Sequence, residues 1–262
     1  MLTEESEPFH EIDEAFSGLA ARLQSMVAEL YGACVFGSYG TSDFRPWISD
    51  IDILVVYLKG GSEERAKSEI QRIFEEFCYL DPKMRFHSHL FDPWIYSEDE
   101  IAKLPIKRMM TYTIPYIKKN HRTLLGKDPA DRIPEPSHKE VVESYLSSLI
   151  EMREWLDSHR HFLNSSRLDL TMKSVVLRTF NAVRGYLAVR GFIEVSRRGQ
   201  AEQFARLVQP PQSEFAQRML NTYEHWIGTF SREEVTKSYE DCLELMKNLH
   251  HDIMQKRIGH IR

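Results

Sequence analysis

A chain of 262 residues, 42% hydrophobic and 28% charged, is long and apolar enough for one large or two small buried cores. Its formal net charge of -5 argues against a main task of gripping nucleic acid, since that affinity comes from cations on phosphates. Three scattered cysteines, an acidic N-terminus and no long apolar run exclude a disulfide scaffold, a secretory leader and a membrane span, and point to a cytoplasmic protein.

The first helical stripe is Phe9, Ile12, Phe16, Leu19, Leu23, Val27 and Leu30. ACVFGS follows as a short buried strand ending at Gly37, and ISDIDILVVYL as a second strand, apolar without interruption as a doubly covered strand should be. Gly60-Gly61 stops that strand, and Ser62 is placed to cap the helix SEERAKSEIQRIFEEF. MRFHSHLFD, residues 84–92, reads as a third strand, followed by a polar helix with Ile101, Leu104 and Ile106 and by the short apolar piece TLLG. The proline-rich KDPADRIPEPSHKE reads as a linker.

Everything beyond it reads as helix, including a stripe of Val142, Tyr145, Leu146, Leu149, Met152 and Leu156 and another from Leu170 to Leu187. SRRG, residues 196–199, offers either a basic contact to phosphate or a helix end capped by cations and a glycine. The expected architecture is an α/β domain with a mixed sheet over residues 1–132. An all-α helical bundle over 133–262 would complete the cleft.

The chemistry concentrates in VFGSYGTSDFRPWISDIDILVVY, residues 35–57. Asp50 and Asp52, two apart in a strand, aim at one point. Like charges so close need a cation between them, and Mg²⁺ suits two carboxylates with positions left for water and substrate phosphate. Gly37 and Ser38 end the preceding strand, where glycine permits close backbone approach and N–H groups and a hydroxyl can hold phosphate oxygens. A phosphate cradle facing a two-acid metal site is the equipment of phosphoryl or nucleotidyl transfer.

The stretch FGSYGTSDFRPWISDIDILV resembles the signature of the DNA-polymerase-β-like nucleotidyltransferases, and the wider layout is similar to that of the antibiotic (aminoglycoside/streptomycin-type) members. The resemblance implies that Gly37 and Ser38 hold the triphosphate, with Ser49 beside it, and that Asp50 and Asp52 bind Mg²⁺. More loosely, it puts Arg197 or Arg198 against the nucleotide. It implies transfer of AMP from ATP to a hydroxyl of a small acceptor such as an aminoglycoside, with pyrophosphate released. The alternatives are a protein or tRNA acceptor, or nucleotide binding without transfer. Acids around the site would suit a cationic antibiotic, and cations a tRNA.

The family's third carboxylate, inside the third strand, has no counterpart in the interior of RFHSHLFD, where Asp92 stands only at the end. His87, with His89 on its face, is one substitute as general base, since histidine ionises near neutrality. Glu143, on the first helix of the second half, is another, by analogy with kanamycin-type relatives.

Overall fold

The apolar runs on either side of the polar loop become the two central strands of a mixed sheet in this computed structural model, which describes residues 7–41, 43–45, 49–58, 63–78 and 91–259. β1 (Leu30–Phe36) and β2 (Ile51–Tyr57) pair antiparallel, with Phe36 opposite Asp52. β3 (Phe91–Ser97) runs parallel to β2, and β4 (His121–Gly126) antiparallel to β1, so the strand order is β3-β2-β1-β4. Helix α1 (Glu7–Gln24) precedes β1, and α2 (Glu63–Cys78) makes the crossover that parallel strands require.

Alternation along the strands separates two faces. Ala33, Val35, Ile51, Ile53, Val55, Tyr57 and Phe91 face one way, into a core with Leu19 and Leu23 of α1 and Ile70, Ile73 and Phe74 of α2. Cys34, Phe36, Leu54, Val56 and Tyr96 face the other way and are buried as well. That second layer contains α3 (Glu98–Ile101) and the turn beyond it, where the Tyr96 hydroxyl donates to the carbonyl of Lys107 at 2.7 Å. Burial on both faces is why β2 carries no alternating polar residues after Asp52.

The chain divides into two compact units, Met1–Met109 with Tyr116–Glu135, and Met110–Pro115 with Pro136–Arg262. The second is helical. It contains α5 (His138–Ser158), α6 (Leu168–Val189), α7 (Arg197–Leu207), α8 (Gln212–Glu224) and α9 (Arg232–Gly259), while α4 (Ile114–Lys119) lies where the chain passes back to the first unit. The α5 stripe expected from spacing is buried at all six positions. Tyr145 on that stripe donates to the carbonyl of Ala182 on α6 at 2.9 Å, so the ring fills the interface while its hydroxyl stays satisfied. The segment Met110–Pro115 enters the same unit, where the amide of Thr111 donates to the Ser144 hydroxyl at 2.9 Å and the buried Tyr112 ring meets Tyr145 edge-on at 5.6 Å.

Three local expectations are corrected. The helix foreseen through Ile106 is only Glu98–Ile101, begun by a capping box of Ser97 and Glu100 and followed by turns around Pro105. The foreseen linker ends in a helix start: Ser137 and Glu140, three apart, form a second capping box that opens α5. SRRG also begins a helix, because the Ser196 hydroxyl accepts from the Gly199 amide at 3.0 Å and caps α7. Ser62, the cap foreseen for α2, lies outside the described residues.

Candidate active site

The polar loop begins as the tight turn Gly37–Gly40, immediately after β1. Gly37 takes a φ of +74°, which L side chains rarely adopt, and a Cβ placed there would lie 2.1 Å from Oδ2 of Asp52. Glycine is therefore required twice over: for the backbone conformation, and for the space that the Asp52 carboxylate occupies. The turn is held from two sides. The Asn120 side-chain amide donates to the Gly37 carbonyl at 3.2 Å, and the Thr41 amide and hydroxyl donate to the Ser38 carbonyl at 3.1 and 3.0 Å. Gly37, Ser38 and Tyr39 of this turn are half-buried.

Asp52 is the second residue of β2, half-buried, and faces away from the α1–α2 core like Leu54 and Val56. Asp50 lies two residues earlier, just before the strand, and is also half-buried. A third acid, which sequence reasoning left at the end of its strand, stands on the sheet beside them. Asp92 is the second residue of β3 and stands in register with Asp52 on the neighbouring strand. In-register residues of adjacent strands share a face and sit about 4.8 Å apart. The indole N–H of Trp94 donates to Oδ2 of Asp92 at 3.1 Å, and the same ring meets Phe36 edge-on at 5.7 Å. Asp92 is thereby braced from its own strand, with an aromatic wall beside it.

In the described residues β3 runs on through Ser97, so the acid thought to end the third strand lies within a strand that continues beyond it. Pro93 disguised this, since proline argues against a strand unless the strand is an edge. Among the described residues β3 is that edge, paired to β2. His87 and His89 lie outside the described residues.

The other expected site residues are placed as follows. Ser49 is 2% exposed, and its hydroxyl accepts from the Arg45 amide at 3.0 Å, which makes it a staple closing the loop in front of β2. Arg197 is buried at 8% exposure with its guanidinium 4.0 Å from the Tyr223 ring centre, a packing position inside the helical unit. Arg198 is exposed and holds both carboxylate oxygens of Glu224, at 2.8 and 2.9 Å. Glu143 is an exposed residue of α5 within 3.9 Å of Lys139. Arg197, Arg198 and Glu143 belong to the helical unit, and Ser49 to the unit that carries Asp52. Asn120, which buttresses the turn, and Trp94, which braces Asp92, were not anticipated. Asn120 was hidden in the basic stretch YIKKNHRTLLGK, where only the charges drew notice.

The donor set fits Mg²⁺ by its chemistry: hard carboxylate oxygens from Asp52 and Asp92 in register, with Asp50 just before, facing a turn suited to phosphate. Among the described residues no three acids, cysteines or histidines already close on one point. Mg²⁺ commonly uses only one or two carboxylates and completes its octahedron with water and substrate phosphate.

Comparison with known proteins agrees with this arrangement. The nucleotidyltransferase domain family matches residues 17–163, which include the turn, both strands bearing the acids, and α5. No curated protein matches. Among solved structures, the chain resembles the spectinomycin adenyltransferase AAD(9) from Enterococcus faecialis, solved with ATP and spectinomycin, at a TM-score of 0.57 and 16% identity, over 91% of this chain and 99% of that one. At that identity the likeness speaks for the fold. Strand order, acids and family match converge: the chain belongs to the nucleotidyltransferase domain family and is a nucleotidyltransferase.

Proposed function

We propose that the protein transfers AMP from ATP to a hydroxyl of a small molecule, with Mg²⁺ bound by Asp50 and Asp52 and assisted by Asp92. The observation that carries this reading is the Asp52–Asp92 register opposite the Gly37 turn. Bound there, Mg²⁺ would neutralise triphosphate charge and polarise the α-phosphorus. Ser38 and the amides around Gly37 hold the outer phosphates. The acceptor oxygen forms its bond to the α-phosphorus as the bond to the pyrophosphate oxygen breaks, and the hydroxyl proton passes to Asp92. The Trp94 indole, which donates to Oδ2 of Asp92, helps to hold that carboxylate in place. The use of ATP and a small acceptor is supported by the similar structure solved with ATP and spectinomycin, which makes an aminoglycoside-like acceptor the first to try.

The test is calorimetric titration of a non-hydrolysable ATP analogue, with and without Mg²⁺, into wild type, the Asp50→Asn/Asp52→Asn variant and Asp92→Asn. Magnesium-dependent binding is expected in wild type and lost in the double variant. Equal binding by wild type and the double variant would end the metal assignment. Asp92→Asn should keep nucleotide binding and lose transfer by about 10²–10⁴-fold, the usual contribution of a positioned general base.

A further inference from the structure

The outer edge of β3 is the wall of a pocket of about 340 Å³ within the first unit, lined by Asp92, Trp94, Glu100, Lys67, Lys107 and Arg108 among others. Its polar groups are unevenly satisfied. The Trp94 indole is given to Asp92, the Tyr96 hydroxyl to the Lys107 carbonyl, and one Glu100 oxygen to the Ser97 amide. Lys67 of α2 and Lys107 and Arg108 of the turn after α3 have no hydrogen-bonded or ion-paired side-chain partner among the described residues. What the pocket still has to offer is cationic donors.

Arg108 adds an independent observation. The Met109 amide bonds to the Ile106 carbonyl at 3.1 Å, which closes a four-residue turn with Arg108 at its third position, and the φ of Arg108 is +66°. Turns with a positive φ at that position ordinarily take glycine. Among the described residues Arg108 is the single non-glycine residue with positive φ. A strained arginine where glycine would sit at ease marks a side chain put to use.

Sheet order says on which side of the reaction this pocket lies. The phosphate turn follows β1, Asp52 belongs to β2 with Asp50 just before it, and β3 flanks β2 on the side away from β1. In-line displacement sets the attacking oxygen opposite the leaving pyrophosphate. The β3 edge is then the acceptor's side, and Asp92 belongs both to the site and to the pocket wall.

We infer that this edge pocket binds an oxyanion, phosphate or carboxylate, carried by the acceptor, and that Lys67, Lys107 and Arg108 hold it while Asp92 faces the acceptor's hydroxyl. The inference rests on the transfer reading above but departs from its aminoglycoside-like acceptor: the acceptor is a small hydroxylated anion in place of a polycationic antibiotic. Two acids in the wall, Asp92 and Glu100, and a net charge of -5 oppose a polyanion such as RNA.

The test uses the full chain with its nucleotide site saturated by Mg²⁺ and the non-hydrolysable ATP analogue. Into it are titrated four probes of one shape and graded charge: glucose 6-phosphate, glucuronate, glucose and glucosamine. The expected order of affinity is that order of charge, with a clear preference for either phosphate or carboxylate naming the anion's source. Arg108→Gly should weaken anion binding by about tenfold, the effect of a lost hydrogen bond to a charged group. It should raise the melting temperature by relieving the turn, and a Lys67→Ala variant should weaken the same probes without touching the turn. Analogue binding should be unchanged in both variants. Equal or better binding of glucosamine, or anion binding indifferent to both variants, would overturn the inference while leaving the transfer reading intact. Absence of analogue binding with anion binding retained would overturn the transfer reading instead.

Discussion

Gly37→Ala separates what the turn does for the fold from what it does for the site. The methyl group forces an L residue into a φ of +74°, at a cost of about 1–2 kcal/mol. Against a total stability of about 5–15 kcal/mol this is tolerable, and for a chain of this size it lowers the melting temperature by about 2–8 °C. The methyl also claims the space 2.1 Å from Oδ2 of Asp52, far inside contact distance, so the carboxylate must swing away. A metal-binding oxygen displaced by about 1 Å costs on the order of 100-fold in turnover. Gly126→Ala is the matched control: its φ is +69° and its Cβ would crowd the Tyr31 carbonyl at 2.6 Å, so it pays the same kind of backbone cost on β4 with no carboxylate involved. Thermal melts and Mg²⁺-dependent titration of the ATP analogue on both variants decide the matter. Both should melt lower, and only Gly37→Ala should lose metal-dependent binding. Were the two variants to bind the analogue equally well, the Gly37–Asp52 contact would be fold alone.

Trp94→Phe keeps the edge-on ring against Phe36 but removes the N–H donated to Asp92, so the fold should hold, nucleotide affinity should stay, and transfer by a coupled pyrophosphate assay should fall about tenfold. Asn120→Ala leaves the Gly37 carbonyl without its side-chain donor and should weaken analogue binding, with stability reduced by about 1 kcal/mol in urea titration. Burial pushes the Cys34 thiol up to about 12 and the Cys242 thiol up to about 11 from an ordinary 9.0. Both folded values lie above the unfolded one, so the stability they contribute is intact below pH 9 and is lost as pH climbs through about 11 and 12. Denaturant midpoints should therefore decline across that alkaline window, and neither thiol should be alkylated in the native protein at pH 8; rapid native modification of Cys34 would contradict its burial.

Most of the fold was legible because the relevant signals are local. Two apolar strands on either side of a Gly-Ser loop, a helix with acids in its first turn, and a six-residue stripe on α5 each announce themselves within a dozen residues. The helix caps were equally local yet were passed over: the capping box of Ser137 and Glu140 sat inside a stretch whose prolines dominated its reading, and the N-cap Ser196 stood before two arginines that drew attention to charge. The pair Asp50 and Asp52 was legible because the two lie within one short stretch of chain. Asp92 was not, because its partner lies on another strand, and register between parallel strands leaves no trace in either sequence alone.

Asp92 nevertheless has a signature that physics can supply. An acid followed by proline and then by Trp, Ile and Tyr is a poor central strand but an acceptable edge, where the aromatic and branched residues suit a half-buried surface. An edge strand is held to the sheet along one side and stays open along the other. The same openness that made β3 hard to read leaves Lys67, Lys107 and Arg108 room to meet a ligand. An acid followed by proline is thus compatible with an edge strand that carries a pocket along its open side, and need not mark a strand's end.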